Sequence, residues 1–371
     1  MNYLSQSKEN FKNKICLVRV DLNIEKGDEK NSLKLKVIKP TVDFLTSRGA
    51  KVLLLSHRGR PLKNDSSQSL FSLAKFLNRH QFKNQPIRFI NNFNLKNIKK
   101  RIRSAKPGSV FLLENLRFLS GEQENNSEFA KKLAGLGDFY INDAFAVNHR
   151  ANASIAAITK FIKPFAGLQL EKEIKNLNGL LKKIKRPLVF ILGGAKAEDK
   201  IMFLQSFFQK SDYFMLGGGI ANTFLAAQKL PVGDSIYDKK SLEFLRKTFL
   251  NSQNKLQKII QPVDYLIHNR QILDIGPKTI DLYSRYIKMA KTIVWNGPLG
   301  LIEKKEFAAG TNAIARMIAN SKAFSIVGGG ETADLIIKLR LDKKIIFLST
   351  GGGAMLEYLS GKPMPGIDAI K

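Results

Sequence analysis

Six short segments rich in glycine or in basic and polar residues carry the most evident chemistry in the sequence. Each follows an apolar run, and they are Ser56-His57-Arg58-Gly59-Arg60, Gly193-Gly194-Ala195-Lys196, Gly217-Gly218-Gly219, Asn296-Gly297-Pro298, Gly328-Gly329-Gly330 and Gly351-Gly352-Gly353. Glycine lets backbone N–H groups approach an anion closely, and a helix N-terminus behind such a loop adds a favourable dipole. One such loop could be a plain tight turn. Five of them in the second half predict phosphate binding.

The second half adds charged side chains to these loops. Lys196 and Lys200 stand one helical turn apart after a glycine pair, which predicts both ammonium groups on one side of a helix start, and the acids Glu303 and Glu331 stand near strand ends. Read alone, the lysines could be solvated surface residues. The chain lacks a G-x-x-x-x-G-K-[ST] motif, a dinucleotide fingerprint and the protein-kinase motifs. A P-loop, a dinucleotide-dependent dehydrogenase and a protein kinase are therefore not indicated.

The strand ends of the first half carry a different set of residues. They are mostly cationic or polar, namely Asp21, Asn23, His57, Arg60, Arg117 and His149-Arg150. Because the planar guanidinium binds oxyanions in pairs, converging arginines would grip a small acid that bears both a phosphate and a carboxylate. Individually, Arg117 could form a surface ion pair and His57 could cap a helix. As a group, these residues favour a binding role.

The elements that must position these residues alternate along the chain. The predicted strands are short apolar runs, separated mostly by helix-length amphipathic segments: Ile15–Val20, Val52–Leu55, Val110–Leu113, Phe139–Ile141, Leu188–Leu192, Tyr213–Leu216, Thr292–Trp295, Phe324–Val327 and Ile345–Leu348. Continuous apolar runs are typical of parallel strands covered on both faces, so the pattern predicts an α/β fold. Within 144–186, leucines and Ile174 recur at helical spacing and predict one amphipathic helix that joins two halves. Ligands of open parallel sheets bind beyond the carboxyl ends of the strands.

Length and composition limit the class of protein. The 371 residues suit two domains, and 44% hydrophobic with 25% charged residues excludes a mainly disordered or fibrous chain. No apolar run approaches the roughly 18 residues needed to cross a bilayer, and 1–14 lacks a secretory signal pattern. A single cysteine, Cys16, allows no internal disulfide. We therefore expect a soluble cytoplasmic protein that does not bind a membrane.

The net charge of +30 is unusual. Both halves of the chain are basic, and the segment Ser66–Leu113 contains no acid at all, whereas its cations include Lys96, Lys99, Lys100, Arg101, Arg103 and Lys106. This excess could mark a surface for nucleic acid or another anionic partner, or a solvated helix face in a lysine-rich proteome. Since no recognition motif accompanies the charge, the sequence permits a nucleic-acid partner but does not favour one.

A series of ordered motifs identifies a family. Along the chain stand Arg19-Val20-Asp21-Leu22-Asn23, Ser56-His57-Arg58-Gly59-Arg60-Pro61, Glu114-Asn115-Leu116-Arg117-Phe118, Asn142-Asp143-Ala144-Phe145, His149-Arg150, Gly193-Gly194-Ala195-Lys196 with Asp199-Lys200, Val294-Trp295-Asn296-Gly297-Pro298 with Glu303, Gly328-Gly329-Gly330-Glu331-Thr332 and Ser349-Thr350-Gly351-Gly352-Gly353-Ala354. They cover nearly the whole chain, and in this order they resemble phosphoglycerate kinases.

The resemblance implies an architecture and an activity. It implies two doubly wound parallel-sheet (Rossmann-like) domains: a phosphoglycerate-binding domain over 1–166, an interdomain helix and hinge over 167–185, and a nucleotide-binding domain over 186–371 whose last residues pack back on the first. The implied reaction is reversible phosphoryl transfer between ATP and the carboxylate of 3-phosphoglycerate, which interconverts with 1,3-bisphosphoglycerate and ADP, by in-line transfer after hinge closure. Mg²⁺ is the implied cofactor, and we expect a monomer.

The resemblance also assigns residues by similarity. Phosphoglycerate contacts are implied for Asp21, Leu22, Asn23, Lys34, His57, Arg58, Gly59, Arg60, Arg117 and Arg150. Nucleotide contacts are implied for Gly194, Ala195, Lys196, Lys200, Gly219, Asn296, Gly297, Pro298, Glu303, Gly329, Gly330, Glu331 and Thr332, with Glu303 on the ribose and Glu331 on magnesium. Catalytic roles in the transfer are implied for Lys34, Lys196, Lys200, Gly329 and Gly352.

Several positions depart from the family pattern. Lys34 stands where the family has an arginine that touches both substrates, and Glu331 replaces an aspartate. Asn152 and Phe347 replace histidines, and Arg58 replaces an apolar residue and adds a cation near the acid site. Lysine keeps the charge of arginine but loses its paired hydrogen bonds. An alternative therefore remains, in which the chain is a catalytically weakened relative that binds RNA or another anionic partner.

Overall fold

Each apolar run predicted as a strand contributes to one of two parallel six-stranded sheets, so the α/β prediction is confirmed. The computed structural model describes residues 1–61 and 65–371. The described chain divides into a first unit, formed by Met1–Asn178 and Gly361–Lys371, and a second unit, formed by Gly179–Ser360.

The sheet of the first unit has the order β3-β4-β2-β1-β5-β6. Its strands are β1 (Ile15–Arg19), β2 (Lys51–Leu55), β3 (Ile87–Ile90), β4 (Val110–Leu113), β5 (Phe139–Asn142) and β6 (Pro164–Ala166). Every residue of β1, β2, β4 and β5 is buried, as expected for parallel strands covered on both faces. Strand β3 lies at one edge, and its exposed Arg88 interrupts the apolar run that a buried strand would have shown.

Helices cover both faces of this sheet. They are α1 (Leu33–Lys36), α2 (Ile38–Thr46), α3 (Phe71–His80), α4 (Leu95–Arg103), α5 (Ser120–Gln123), α6 (Ser127–Ala134) and α7 (Leu168–Lys182). One apolar core joins α2 and α3 to one face of the sheet, and another joins α4 and α6 to the other face. The segment 144–186 therefore contains the expected helix, α7, but it also contains strand β6, which the three-residue length concealed.

The sheet of the second unit has the order β14-β13-β12-β7-β8-β9. Its strands, with the separate two-stranded pair β10–β11, are β7 (Leu188–Leu192), β8 (Tyr213–Leu216), β9 (Ile259–Ile260), β10 (Tyr265–His268), β11 (Gln271–Ile275), β12 (Thr292–Asn296), β13 (Phe324–Gly328) and β14 (Phe347–Ser349). Its helices are α8 (Glu198–Phe207), α9 (Gly218–Ala227), α10 (Leu242–Leu245), α11 (Gln253–Leu256), α12 (Pro277–Met289), α13 (Ala309–Asn320), α14 (Gly330–Lys338) and α15 (Gly353–Leu359).

The antiparallel pair β10–β11 was not expected from the apolar runs. Asn269 and Arg270 join its strands with φ angles of 45° and 61°, the left-handed conformation of a tight hairpin turn. Strand β10 is half-buried or exposed throughout, so it lacks the continuous apolar signal of the main sheet. The asparagine in the turn was the available sequence signal.

The C-terminal segment returns to the first unit. Its helix α16 (Pro365–Asp368) follows Gly361, and Gly366 N–H donates to the Asn148 carbonyl oxygen at 3.0 Å. Asn142 Nδ2 contacts the Gly366 carbonyl oxygen at 3.3 Å. Within the described ranges, no helix has both the length and the apolar character that a bilayer crossing needs.

Candidate active site

Five neighbouring strands of the second unit end in the loops that the sequence marked as glycine-bearing. The strands are β14, β13, β12, β7 and β8, and because all five are parallel, their carboxyl ends meet at one edge of the sheet. The loops that follow them are 350–352, 329, 297–308, 193–197 and 217. The topology therefore gathers the predicted phosphate-binding segments.

Hydrogen bonds between these loops fix their positions. Gly193 N–H donates to the Asn296 carbonyl oxygen at 2.9 Å, and Gly194 N–H donates to the Pro298 carbonyl oxygen at 2.6 Å. Gly219 N–H donates to the Gly194 carbonyl oxygen at 2.9 Å. Three different strand ends are thus tied together through main-chain atoms, which leaves the remaining N–H groups in a rigid arrangement.

Side chains extend this network. Thr332 Oγ1 accepts a hydrogen bond from Gly297 N–H at 3.1 Å, and Asn296 Nδ2 donates to the Gly352 carbonyl oxygen at 3.1 Å. Trp295 is fully buried, and its Nε1 donates to the Gly297 carbonyl oxygen at 2.8 Å. These side chains are therefore committed to shaping the loops.

Glycine is required where these loops touch. A Cβ at Gly193 would collide with the Pro298 carbonyl oxygen, because the two segments are in main-chain contact. Gly329 has a φ of 102°, which an L side chain rarely adopts, and its Cα lies 3.1 Å from the position that a Gly352 Cβ would occupy. The glycines are needed for this close packing of backbones as well as for any approach of a ligand.

A cavity of about 250 Å³ opens beside these loops. Six of the residues predicted to contact a nucleotide line it, and they are Gly194, Ala195, Gly219, Pro298, Glu303 and Glu331. The rest of its wall is largely apolar or neutral and includes Ile236, Tyr265, Leu273 and Leu301. A mostly apolar cleft with a few polar groups at its edge suits a flat heterocyclic ligand that carries an anionic tail.

The two lysines differ from each other in position. Helix α8 begins at Glu198, so Lys200 lies in its first turn and Lys196 lies in the loop directly before it, at the predicted helix start. Lys200 Nζ donates to the Lys196 carbonyl oxygen at 2.9 Å. Burial lowers the pKa of Lys200, although the acids Asp199 and Glu331 act in the opposite direction. Lys200 is therefore a partly desolvated cation near the carboxylate of Glu331.

In the first unit, Asp21 organises the loop after β1. Its carboxylate lies 2.9 Å from Lys34 Nζ and accepts a hydrogen bond from Asn23 N–H at 2.9 Å. Burial acts to raise the pKa of Asp21, but Lys34 and the Asn23 N–H outweigh it and hold that pKa well below its usual range. Lys34 Nζ also donates to the Asn23 carbonyl oxygen at 2.9 Å. Lys34, which stands where the family pattern has an arginine, is thus held at this loop by Asp21 and Asn23.

Arg19 is buried next to the cationic residues of this unit. It is only 2% exposed, and its Nε donates to Ser154 Oγ at 2.8 Å, while the equally buried Glu122 lies 3.9 Å away. Glu122 Oε1 accepts a hydrogen bond from Ser154 Oγ at 2.6 Å. A buried ion costs several kcal/mol to desolvate, so these partners are needed to hold the guanidinium in place. Arg19 stands in a sequence motif, but its role depends on partners that only the fold brings together.

His57 is buried and lies directly against Arg19. Arg19 Nη2 is 3.0 Å from His57 Nδ1, and a guanidinium can only donate, so Nδ1 is the acceptor and the ring proton is on Nε2. Burial and the nearby Arg19 charge lower the pKa of His57 well below its ordinary value. His57 is therefore a neutral donor at this site and does not cap a helix.

Three arginines lie around Arg117. Burial first, and then the neighbouring Arg150, Arg19 and Arg60, lower the pKa of Arg117 to about 10, whereas Glu122 opposes them. Arg117 donates to the Gly59 carbonyl oxygen, and Glu114 is occupied by Ser69 and Leu70, so Arg117 and Glu114 do not form a surface ion pair. Mutual repulsion between these cations would be relieved by a bound anion.

The other residues of this loop cluster have structural contacts. Arg58 is 5% exposed, and its guanidinium donates to the Ile24 carbonyl oxygen and to Ser72 Oγ, so it holds two segments together. Leu22 is buried, and Gly59 N–H donates to Asn23 Oδ1 at 2.8 Å. Arg60 is exposed. The cation that Arg58 was expected to add to the site is thus directed into the protein.

Two departures from the expected pattern lie in packed positions. Asn152 is buried, and its Nδ2 contacts the Glu122 carbonyl oxygen at 3.3 Å. Phe347 is 2% exposed and begins strand β14. Both side chains therefore have a packing role in the units that contain them.

The cavity wall contains residues that sequence reasoning missed. Ile236, Leu273 and Asp274 line it, and only the last carries an ionisable group. Asp274 accepts hydrogen bonds from Gly310 N–H at 2.8 Å and Ile275 N–H at 2.9 Å, and burial raises its pKa to about 6. Apolar wall residues carry no chemical signal in the sequence, because their role depends on the fold alone.

Comparison with known proteins gives a consistent result. A family model described as phosphoglycerate kinase matches residues 6–362. A curated phosphoglycerate kinase of Geobacter metallireducens is 40% identical and aligns over 98% of this chain and 97% of its own length. One from Desulfosudis oleivorans is 38% identical over 96% of both.

Solved structures agree with the sequence comparison. A phosphoglycerate kinase structure from Coxiella burnetii has a TM-score of 0.77 and 35% identity, and it covers 98% of each chain. The crystal structure of the Pyrococcus horikoshii phosphoglycerate kinase has a TM-score of 0.85 and 32% identity, covering 100% of this chain and 98% of its own. The similarity therefore extends across both units.

The neutral state of His57 predicts a pH dependence of stability. In the unfolded chain, His57 has a pKa of about 6.5 and binds a proton below that pH, whereas in the folded chain it stays neutral. The free energy of unfolding therefore decreases as the pH falls. We expect the unfolding free energy of the wild type, relative to His57→Gln, to decrease between pH 7 and 5 by up to about 1.4 kcal/mol per pH unit. Urea unfolding of both proteins measures this difference. Exposed His80→Gln is the control, and a pH-independent difference for His57→Gln would contradict the assignment.

Proposed function

The chain belongs to the phosphoglycerate kinase family, and we propose that its first unit binds the phosphoglycerate while its second unit binds the nucleotide. The activity is reversible phosphoryl transfer between ATP and the carboxylate of 3-phosphoglycerate, a step of glycolysis. As a glycolytic enzyme it is expected to act in the cytoplasm, and we propose that it acts as a monomer.

The proposal depends mainly on the different chemistry of the two units. The first unit gathers cations around Arg117, and the second gathers glycine loops beside an apolar cavity. A small acid with two anionic groups suits the first arrangement, because it supplies compensating charge at both ends. A nucleotide suits the second, because its base needs an apolar wall and its phosphates need backbone N–H donors.

For 3-phosphoglycerate, the proposed contacts lie in the first unit. Arg60, Arg117 and Arg150 would hold the phosphate, and their mutual repulsion in the free site supports this role. Asp21, Asn23 and His57 would orient the remainder of the substrate, with His57 as a neutral donor through Nε2. Leu22 and Gly59 would contribute through the loop backbone, and Arg58 through the position of that loop.

For ATP or ADP, the proposed contacts lie in the second unit. Glu303 lines the cavity and would accept from the ribose hydroxyls. Gly194, Ala195, Gly219 and Pro298 would form the walls, with Asn296, Gly297, Gly330 and Thr332 shaping the loops behind them. Lys196 and Lys200 would neutralise the phosphates, and the lowered pKa of Lys200 reflects its partial burial there.

Magnesium is the proposed cofactor, and the donor set fits it. Mg²⁺ commonly keeps several waters and is held by one or two carboxylates together with substrate phosphates. Glu331 provides one carboxylate at the edge of the cavity, near Lys200. When bound with the nucleotide, the ion would neutralise charge on the phosphates. A single protein ligand suffices for this arrangement.

The transfer itself places limited demands on the protein. The acceptor carboxylate is already ionised, so no general base is required, and the main needs are alignment and charge neutralisation. Lys34, Lys196 and Lys200 would supply positive charge, while the closely packed backbones of Gly329 and Gly352 would line the path of the phosphoryl group. Water must be kept out during in-line transfer, so hinge closure is the proposed conformational step.

A coupled spectrophotometric assay tests the function. With ATP, Mg²⁺ and 3-phosphoglycerate, the purified chain should form 1,3-bisphosphoglycerate at a rate that depends on all three. Isothermal titration of each substrate alone and then together should show two sites and their coupling. Turnover near zero with both substrates bound would overturn the proposed activity and favour a weakened relative.

Lys200→Ala should reduce activity strongly. Loss of a preorganised cation near the phosphates typically lowers kcat by about 10²- to 10³-fold. The coupled assay measures the effect, with Lys210→Ala as a matched control, because Lys210 is exposed in the same unit and lies over Phe207. Equal activity of the two variants would remove Lys200 from the proposed machinery.

Lys34→Arg should raise kcat. Lys34 Nζ is already directed to Asp21 and to the Asn23 carbonyl, and a guanidinium at this place would keep those partners while adding N–H donors toward the substrates. One further charge-assisted hydrogen bond in the transition state, worth about 1 kcal/mol, corresponds to roughly a fivefold increase. Lys36→Arg on the same short helix is the control. If kcat does not rise, the lysine is not a weakening substitution.

Glu331 should be visible in nucleotide binding. We expect Mg²⁺ to tighten ADP binding in the wild type and in Glu331→Asp, because both keep a carboxylate, and to do so about tenfold less in Glu331→Gln. Isothermal titration of ADP with and without Mg²⁺ measures the difference. Metal-free ADP binding should change little in all three proteins. An unaltered Mg²⁺ effect in Glu331→Gln would show that the ion is held without this side chain.

A further inference from the structure

One edge of the first unit carries positive charge that the proposed kinase sites do not use. Strand β3 is the edge strand, α3 packs on one face of the sheet and α4 on the other. We define the edge patch as Phe71, Lys75, Arg88, Lys96, Lys100 and Arg101, all of which are exposed. Apart from His80, every ionisable side chain of the segment 66–113 is a lysine or an arginine.

The cations of helix α4 face solvent without compensating acids. Ile98 and Ile102 bury one side of the helix in the core, which turns Lys96 and Lys100 outward. These two residues form a like-charged pair at i and i+4, a spacing that destabilises a helix by about 0.2–0.5 kcal/mol. In the described part of the chain, none of the basic patch residues forms an ion pair with an acid.

Two arginines of the patch share one aromatic ring. The guanidinium carbon of Arg88 lies 5.7 Å from the centroid of Phe111, and that of Arg101 lies 6.0 Å from the same centroid. Strand β3 and helix α4 therefore bring two guanidinium groups to one buried ring. Because both guanidinium groups are also exposed, their N–H donors are available to a phosphate at this edge.

An exposed aromatic residue lies on the other side of the edge strand. Phe71 is 47% exposed, and its ring centroid is 5.4 Å from that of Phe89, which is partly buried against the core. Lys75 Nζ lies 4.4 Å from the Phe71 centroid. A large aromatic side chain that is supported from behind, exposed to solvent and next to a cation can stack on a base.

We propose that the edge patch binds single-stranded nucleic acid, with its cations on the phosphates and Phe71 stacked on a base. The binding would tolerate different sequences, because stacking and phosphate contacts do not read base edges. A membrane surface fits less well, since α4 buries its apolar side in the core and has no apolar face to insert. The structure thus supplies the aromatic element that the charge pattern alone lacked.

The direct test uses the full-length protein and a fluorescein-labelled oligouridylate of about 16 nucleotides. Anisotropy titrations from about 50 to 200 mM KCl should show binding whose log K falls linearly with log salt concentration. Replacing Lys96, Lys100 and Arg101 together by glutamate should weaken binding by at least about thirtyfold and reduce the salt slope by about 2, at roughly 0.7 for each lost phosphate contact.

Two further variants distinguish the patch from the general charge of the protein. Lys288→Glu, Lys291→Glu and Lys322→Glu combined change the net charge by the same amount at exposed positions of the second unit, and this control should bind nearly as the wild type does. Phe71→Ala should weaken binding about tenfold without altering the salt slope. Kinase activity and thermal unfolding should remain close to wild type in all variants.

Three results would overturn the proposal. The first is the absence of binding to the oligonucleotide at about 50 mM KCl, where phosphate contacts are strongest. The second is an equal loss in the control triple variant, which would show attraction by net charge alone. The third is binding to vesicles of phosphatidylserine and phosphatidylcholine without binding to the oligonucleotide, which would assign the patch to a membrane surface.

Discussion

Repulsion between converging cations is the constraint on which the first unit depends. Arg117 lies close enough to Arg19, Arg60 and Arg150 for each of them to lower its pKa, and Glu122 is the acid that opposes them. The fold tolerates this arrangement because Arg19 donates to Ser154, which in turn donates to Glu122. His57 adds a donor without adding charge. A binding site that is strained by like charges when empty gains more from its anion than a balanced one would.

The second unit meets the same electrostatic demand by other means. Its glycine-bearing loops are tied together by backbone hydrogen bonds such as Gly193 to Asn296 and Gly194 to Pro298, so their N–H groups are positioned without a cluster of cations. Among the described residues of this arrangement, Lys200 is the lysine whose pKa burial lowers. Preorganised dipoles of this kind need little rearrangement when the ligand charge changes, which suits the ATP and ADP binding that we propose for this unit.

The sequence predicted the strands best where they are buried on both faces. The predicted bounds of β7 and β8 agree with the structure at both ends. Strand β3 was not predicted because Arg88 interrupts its apolar pattern, and β10 was not predicted because it is half-buried or exposed. Among site residues, glycines and arginines at strand ends were predictable, because parallel strands must end at one edge. The roles of Arg19 and of the wall residue Ile236 were not, since they depend on which side chains the fold brings into contact.

Two buried acids and the buried histidine have opposing effects on the pH dependence of stability. Burial raises the pKa of Asp143, in the first unit, and of Asp274, in the second, to about 6. Between about pH 6 and 4 the folded chain therefore binds protons at these groups that the unfolded chain does not, and this stabilises the fold as the pH falls. His57 acts in the opposite direction below about pH 6.5. Asp143 Oδ1 accepts a hydrogen bond from Leu170 N–H at the start of α7. Asp274 accepts one from Gly310 N–H and lines the cavity, so protonation of these two acids alters contacts in each unit. The pH at which this protein is most stable thus depends on the balance between these opposing linkages.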